Sequence, residues 1–251
     1  MATTARGIPA LGAILVLGLG LSACGKQAST GKHSSTGAAP GPGASAVVIQ
    51  VGKTPITRAL YRHWLAIGVA TVNIPLPGQP IPKAIAYEPP DFKACVASLQ
   101  KSSPPKQKPT TAELKLKCQQ TFVGIKQRIL SFLITGYWIR GEAAERGVTV
   151  SDAEVQQKFE ENKRQNYPTP AAFQELLASS HQTIPDLKFA VETQLLSAKL
   201  LKNFTTSKGK GKAEQELTIP FNQSIELKWS ARTDCRQGFV VKDCKQYRPA
   251  A

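Results

Sequence analysis

A mainly α-helical domain whose two ends meet in a small β pairing is what this chain of 251 residues predicts, and three observations carry that expectation. The first is an apolar stripe spaced by three and four: Phe122, Ile125, Ile129, Phe132/Leu133, Gly136, Ile139 and Ala143. The second is a pair of helix-start signatures, Thr110 with Glu113 and Ser151 with Glu154, each a capping box. The third is that β-rich composition is confined to the ends, in Val47–Val51 and in the cysteine-bounded tail from Cys235 to Cys244.

The elements follow in order. Residues 1–23 read as a signal peptide: Arg6 is a minimal positive n-region, and Ile8 to Leu21 is an apolar run too short for a comfortable membrane span. Small residues before the cut suit ordinary secretion, but Leu21-Ser22-Ala23-Cys24 further resembles the bacterial lipobox, in which the cysteine is acylated and becomes the mature N-terminus. The expected place is therefore the extracytoplasmic face of the cell membrane, lipid-anchored through Cys24. Residues 24–46, rich in Ser, Thr, Gly, Ala and Pro, lack the apolar surface to fold and read as a tether. Gly25…Gly31-Lys32 is one residue too long for a phosphate loop, and His33 stands where Ser or Thr is needed.

Residues 47–251 are expected to form the domain. After the Val47–Val51 run, Gly52-Lys53-Thr54-Pro55 reads as a turn, and Thr57 caps a helix through Leu60, Tyr61, Trp64, Leu65 and Gly68. His63 stands alone and reads as a surface or packing residue. Prolines recur from Asn73 to Pro90 too often for helix or central strand. Asp91 is the expected cap of a short helix carrying Cys95 and Leu99, and Ser102–Pro109 a loop. The long helix follows, with a second stripe of Leu130, Ile134 and Trp138 that predicts burial on more than one side. Gly147 is placed to end it in a left-handed turn. Val150 and Val155 staple the next helix. Thr169-Pro170 opens another, with Phe173, Leu176 and Leu177. Thr183 or Ile184 with Pro185 opens a further one, with Leu187, Val191, Leu195, Ala198, Leu201 and Phe204 on its apolar side. Lys208–Lys212 breaks the pattern, and Leu217–Trp229 reads as a helix interrupted by Pro220. The tail from Cys235 to Cys244 reads as a turn and strand able to pair with Val47–Val51.

Five cysteines in a chain expected outside the cytoplasm leave four once Cys24 is set aside, and four allow three pairings. The local one joins Cys95 to Cys118 and Cys235 to Cys244; a loop as long as the first would gain about 3 kcal/mol by chain entropy. No zinc-ligand or CxxC spacing occurs, so neither a metal, a cofactor nor redox chemistry is expected. The formal charge is +15, or +14 without Arg6, which suits an anionic membrane, cell-wall polymers or acidic clients. Outside the cytoplasm, nucleic acid is not an expected partner.

Three stretches carry a family resemblance. Ile49-Gln50-Val51-Gly52-Lys53-Thr54-Pro55-Ile56-Thr57 is similar to the opening strand, turn and helix start of the extracytoplasmic foldases of the SurA and PrsA type. Trp138 through Val155, with Gly147-Val148-Thr149-Val150-Ser151-Asp152-Ala153-Glu154-Val155, resembles that family's helix–turn–helix segment. Trp229 to Cys244 resembles the closing segment of its actinobacterial lipoprotein members. The resemblance implies a helical domain like the SurA N-terminal chaperone domain, and binding of unfolded secreted polypeptides. Many members insert a parvulin-type prolyl isomerase before the closing segment; here residues 205–220 are too short for a domain with its own core. No Ser/His/Asp or Cys/His constellation appears either, so an enzyme is not expected. Polypeptide contacts are expected from aromatic residues outside the single stripe: Trp64, Tyr137, Trp138, Phe159 and Phe173. An active prolyl isomerase and an anchored adaptor for anionic envelope polymers are the alternative readings.

Overall fold

The computed structural model describes residues 43, 45–72, 85–104, 109–208 and 214–249. The expected signal, Cys24 and nearly all of the tether lie outside the described residues, as do most of the proline-rich crossing, residues 105–108 of the Ser102–Pro109 loop and 209–212 of the Lys208–Lys212 break. The described chain is mainly helical with a three-stranded antiparallel sheet.

Strand β1 (Val47–Val51) lies between β2 (Thr54–Thr57) and β3 (Thr233–Cys235), so both ends of the domain share one sheet. The expected turn proves to be a hairpin: Gly52 takes φ +55°, and Pro55 sits in β2 on the sheet edge, where its missing N–H leaves no ladder bond open. The tail strand lies earlier than expected. It is Thr233–Cys235 that pairs with β1, Ile49 opposite Cys235, while Arg236–Cys244 turns back as a loop. A disulfide joins Cys235 to Cys244 across that loop.

Helix α1 (Arg58–Thr71) begins at Thr57, whose hydroxyl accepts from the Leu60 amide. Asp91 does not cap α2 (Lys93–Ser102). Phe92 holds the cap position at φ +53° with no side-chain bond, because its ring is buried against Phe122; the Asp91 carboxylate instead accepts from Lys115 Nζ at 3.0 Å. Helix α3 (Thr111–Glu145) runs about 52 Å at 1.5 Å per residue. Its capping box forms as expected, and Gly147 at φ +64° closes it: Val148 N–H reaches the Ala143 carbonyl and Gly147 N–H that of Ala144. Both stripes on α3 are largely buried, Ile125, Ile129 and Leu133 from one, Leu130, Ile134 and Trp138 from the other.

Helices α4 (Asp152–Asn166) and α5 (Pro170–Ser180) form around Val155, Phe159, Phe173 and Leu176. Helix α6 (Ile184–Lys208) begins at Ile184 with Thr183 capping it: the Thr183 amide and hydroxyl donate to the Asp186 carboxylate, and its hydroxyl accepts from the Asp186 amide. Ala198 is exposed, a departure from the expected apolar side. The helix is packed on two sides instead, Leu187, Val191 and Leu195 toward α4 and α5, Leu196, Leu200 and Phe204 toward the main core. Helix α7 (Glu214–Ser230) runs unbroken through Pro220. Leu217, Phe221, Ile225 and Trp229, four apart and all buried, hold it on the core across the proline.

Candidate functional site: an aromatic cluster between three helices

Two glycines let the core helices approach closely. A Cβ at Gly68 would lie 2.7 Å from Ile129 Cγ1, which brings α1 onto α3; one at Gly136 would lie 3.2 Å from the Phe189 ring, which brings α6 onto the same helix. The rings at this crossing are Trp64 from α1, Phe132 and Tyr137 from α3, and Phe189 from α6. Trp64 lies 4.8 Å from Phe132 and 5.7 Å from Phe189, and Tyr137 lies 5.8 Å from Phe189, centroid to centroid. Trp64 is buried as the floor, while Phe132, Tyr137 and Phe189 are half-buried. The Arg140 guanidinium sits 4.2 Å over Phe189 and is paired with Glu192 at 2.5 Å. Such a rim of rings with one cation offers apolar area and π faces at low entropic cost to an incoming chain.

The five aromatic residues expected to contact polypeptide do not converge on one cleft. Trp64, Trp138, Phe159 and Phe173 are at most 5% exposed, because large rings stabilise most where they leave water altogether. Of these, Phe159 and Phe173 pack together between α4 and α5. Tyr137 alone reaches the surface, and it joins Trp64 through Phe189. Phe189 and Arg140 were not legible as site residues. Phe189 interrupts the apolar stripe of α6, and only the tertiary crossing gives it neighbours.

Trp138 has a different task. Its Nε1 donates to Thr233 Oγ1 at 2.7 Å, and that hydroxyl donates to the Trp229 carbonyl at 2.8 Å. Glu142, one helical turn further along α3, is fully buried and accepts from Trp229 Nε1 at 2.7 Å, Lys228 Nζ at 2.6 Å and Arg146 Nε at 2.6 Å. Burial pushes its carboxyl up, but those three donors more than offset it and hold it below the ordinary value. A Cβ on Gly141 would meet Trp229 Cη2 at 2.2 Å, and one on Gly52 would meet the same ring at 3.3 Å. Trp229 is thus clamped between two glycines and a buried carboxylate. In this fold, contacts between the C-terminal half of α3, Gly52 and the segment from Lys228 to Thr233 close the domain.

The two histidines outside the tether have structural settings. His63 is bonded to Asp186 at 2.8 Å, which ties α1 to the start of α6; His181 ends α5 at φ +56°. Disulfides join Cys95 to Cys118 and Cys235 to Cys244. Among the described residues, no helix is long and apolar enough to cross a membrane, and no group of three or more His, Cys, Asp or Glu is placed to hold a metal. No known protein family matches the chain, and neither a curated protein nor a solved structure does.

Proposed function

We propose that this chain is a lipid-anchored extracytoplasmic protein that binds unfolded secreted polypeptides and keeps them soluble, without covalent chemistry of its own. The observation that carries the reading is the aromatic rim of Phe132, Tyr137 and Phe189 over buried Trp64, with Arg140 across it. A rim of this kind suits apolar segments of many sequences, since π faces and dispersion contacts ask for no fixed hydrogen-bond pattern. Exposed Leu116 and Val123 extend apolar surface along the first half of α3. Binding an unfolded chain lowers its free concentration and so slows aggregation by mass action.

The test is light scattering of a denatured secreted protein diluted in the presence of residues 46–251. Suppression near stoichiometric ratio is expected, and Tyr137→Ala with Phe189→Ala is expected to lose most of it while circular dichroism stays unchanged. No suppression by the unsubstituted domain would sink the reading.

A further inference from the structure

Acidic residues are unevenly placed. All 17 lie from Glu88 onward, so the first 87 residues, including β1, β2 and α1, carry cations alone. Elsewhere many lysines and arginines are paired: Lys115 with Asp91, Arg140 with Glu192, Lys199 with Glu154, Lys228 and Arg232 with Glu145. The end of the sheet where the chain enters the fold is different. Arg58 N–H donates to the Ala46 carbonyl, and Arg236 N–H to the Val48 carbonyl, so the starts of β1 and α1 and the end of β3 meet there. The Arg58 guanidinium lies 5.4 Å over the Phe239 ring. Arg62 stands one turn along α1, and Lys242 lies on the same disulfide-closed loop as Arg236. Arg62, Arg236 and Lys242 are exposed, and none of the three pairs with a carboxylate among the described residues. The one acid on that loop, Asp243, is buried and accepts from Ser131. Val240 is 40% exposed beside half-buried Phe239.

We infer that this end of the sheet, with Arg58, Arg62, Arg236 and Lys242 around Phe239 and Val240, docks on an anionic phospholipid surface. Two features select that occupant. The 22 residues from Gly25 to Ala46 enter the fold at the cluster itself, so a membrane holding Cys24 is never farther from this face than about 75 Å of extended chain. The chemistry also matches: unpaired cations meet headgroup charge, and an apolar pair sits at headgroup depth. The choice of a membrane as occupant rests on the proposed anchoring through Cys24; the charge and geometry of the face do not. Docking would fix which side of the domain faces away from the membrane, toward clients.

The experiment uses the full chain, always with Cys24→Ser so that no acyl chain contributes, and vesicles of phosphatidylcholine with or without phosphatidylglycerol. R62Q/R236Q/K242Q is expected to lose roughly a hundredfold of the preference for phosphatidylglycerol vesicles, at about fivefold for each of three cations near the surface. K93Q/K101Q/K117Q removes the same charge from exposed positions on α2 and α3 and is expected to stay within about threefold of the parent, since charges beyond a Debye length of the surface are screened. Equal losses in the two variants would reduce the effect to net charge and overturn the inference. So would indifference to phosphatidylglycerol, or binding of soluble poly(glycerol phosphate) through these residues without binding to vesicles. The mass of Cys24 in the unsubstituted protein reads the anchoring separately: an unacylated cysteine removes the proposed anchor and leaves the vesicle result standing.

Discussion

The two ends of α3 are held by different means. Its C-terminal half is locked by packing and buried polar bonds: Trp138 to Thr233, Glu142 to Trp229, Lys228 and Arg146, and Trp229 against Gly141 and Gly52. Its N-terminal part extends past the main core and is covered, among the described residues, by α2 and by Ile85 and Tyr87 before it, over a small separate cluster of Phe92, Cys95, Val96, Leu114 and Cys118. A covalent bond fastens that arm, Cys95 to Cys118 across 23 residues. A small cluster buries too little apolar area to offset the entropy of ordering its own helix, so the arm depends on the disulfide where the core does not. Cooperativity should differ accordingly, with the C-terminal half sharing the global transition and the arm opening by itself.

The sharpest break is at Trp229. Trp229→Ala is expected to cost about 4 kcal/mol, a buried ring lost together with a hydrogen bond to a buried carboxylate. Gly141→Ala should cost about 3 kcal/mol alone, since the added methyl must displace a ring clamped on its other side, and under about 0.5 kcal/mol in the Trp229→Ala background. Urea unfolding of the four proteins reads the cycle, and additivity would show that the clamp is not real.

Next in size is the arm. Cys95→Ser with Cys118→Ser should remove about 3 kcal/mol of local stability and speed amide exchange in Lys93–Ser102 by roughly a hundredfold. Exchange at Ile129–Glu142 should not move. Equal acceleration in both halves would mean one cooperative unit and end the distinction.

The smallest effect is in acid. The Glu142 carboxyl is held below its ordinary 4.5 when folded, so its contribution is complete above that pH and is lost as pH falls through the lowered folded value. Melting temperature should therefore fall more steeply below pH 4.5 in the parent than in Glu142→Gln, itself less stable at neutral pH. Parallel slopes would show that Glu142 adds nothing to acid sensitivity.

Local chemistry was legible where a signal and its partner lie within one turn. Thr57, Thr110, Ser151 and Thr169 cap helices because hydroxyl and amide are three residues apart, and Gly147 stops α3 because the left-handed turn is a backbone matter. Asp91 failed as a cap because burying the Phe92 ring sets the backbone there, and Pro220 failed as a breaker because four buried side chains hold the helix across it. Of the candidate site, Trp64 and Tyr137 could be named from the sequence, but their meeting through Phe189 could not. Nothing local distinguishes a ring that floors a surface cluster from one that fills a core.

The sequence by itself therefore determined the helical class, the helix starts and the β character of Val47–Val51, since these depend on periodicity and short-range bonds. Only the tertiary structure decided that Gly141 and Glu142 serve Trp229, that Phe189 completes the aromatic rim, and that Arg58 and Arg236 stand together where the chain enters. The physical reason is the same in each case. These contacts join residues 52 to 188 positions apart, from Tyr137 with Phe189 to Val48 with Arg236, and their energy comes from burial and charge that no local stretch of chain contains.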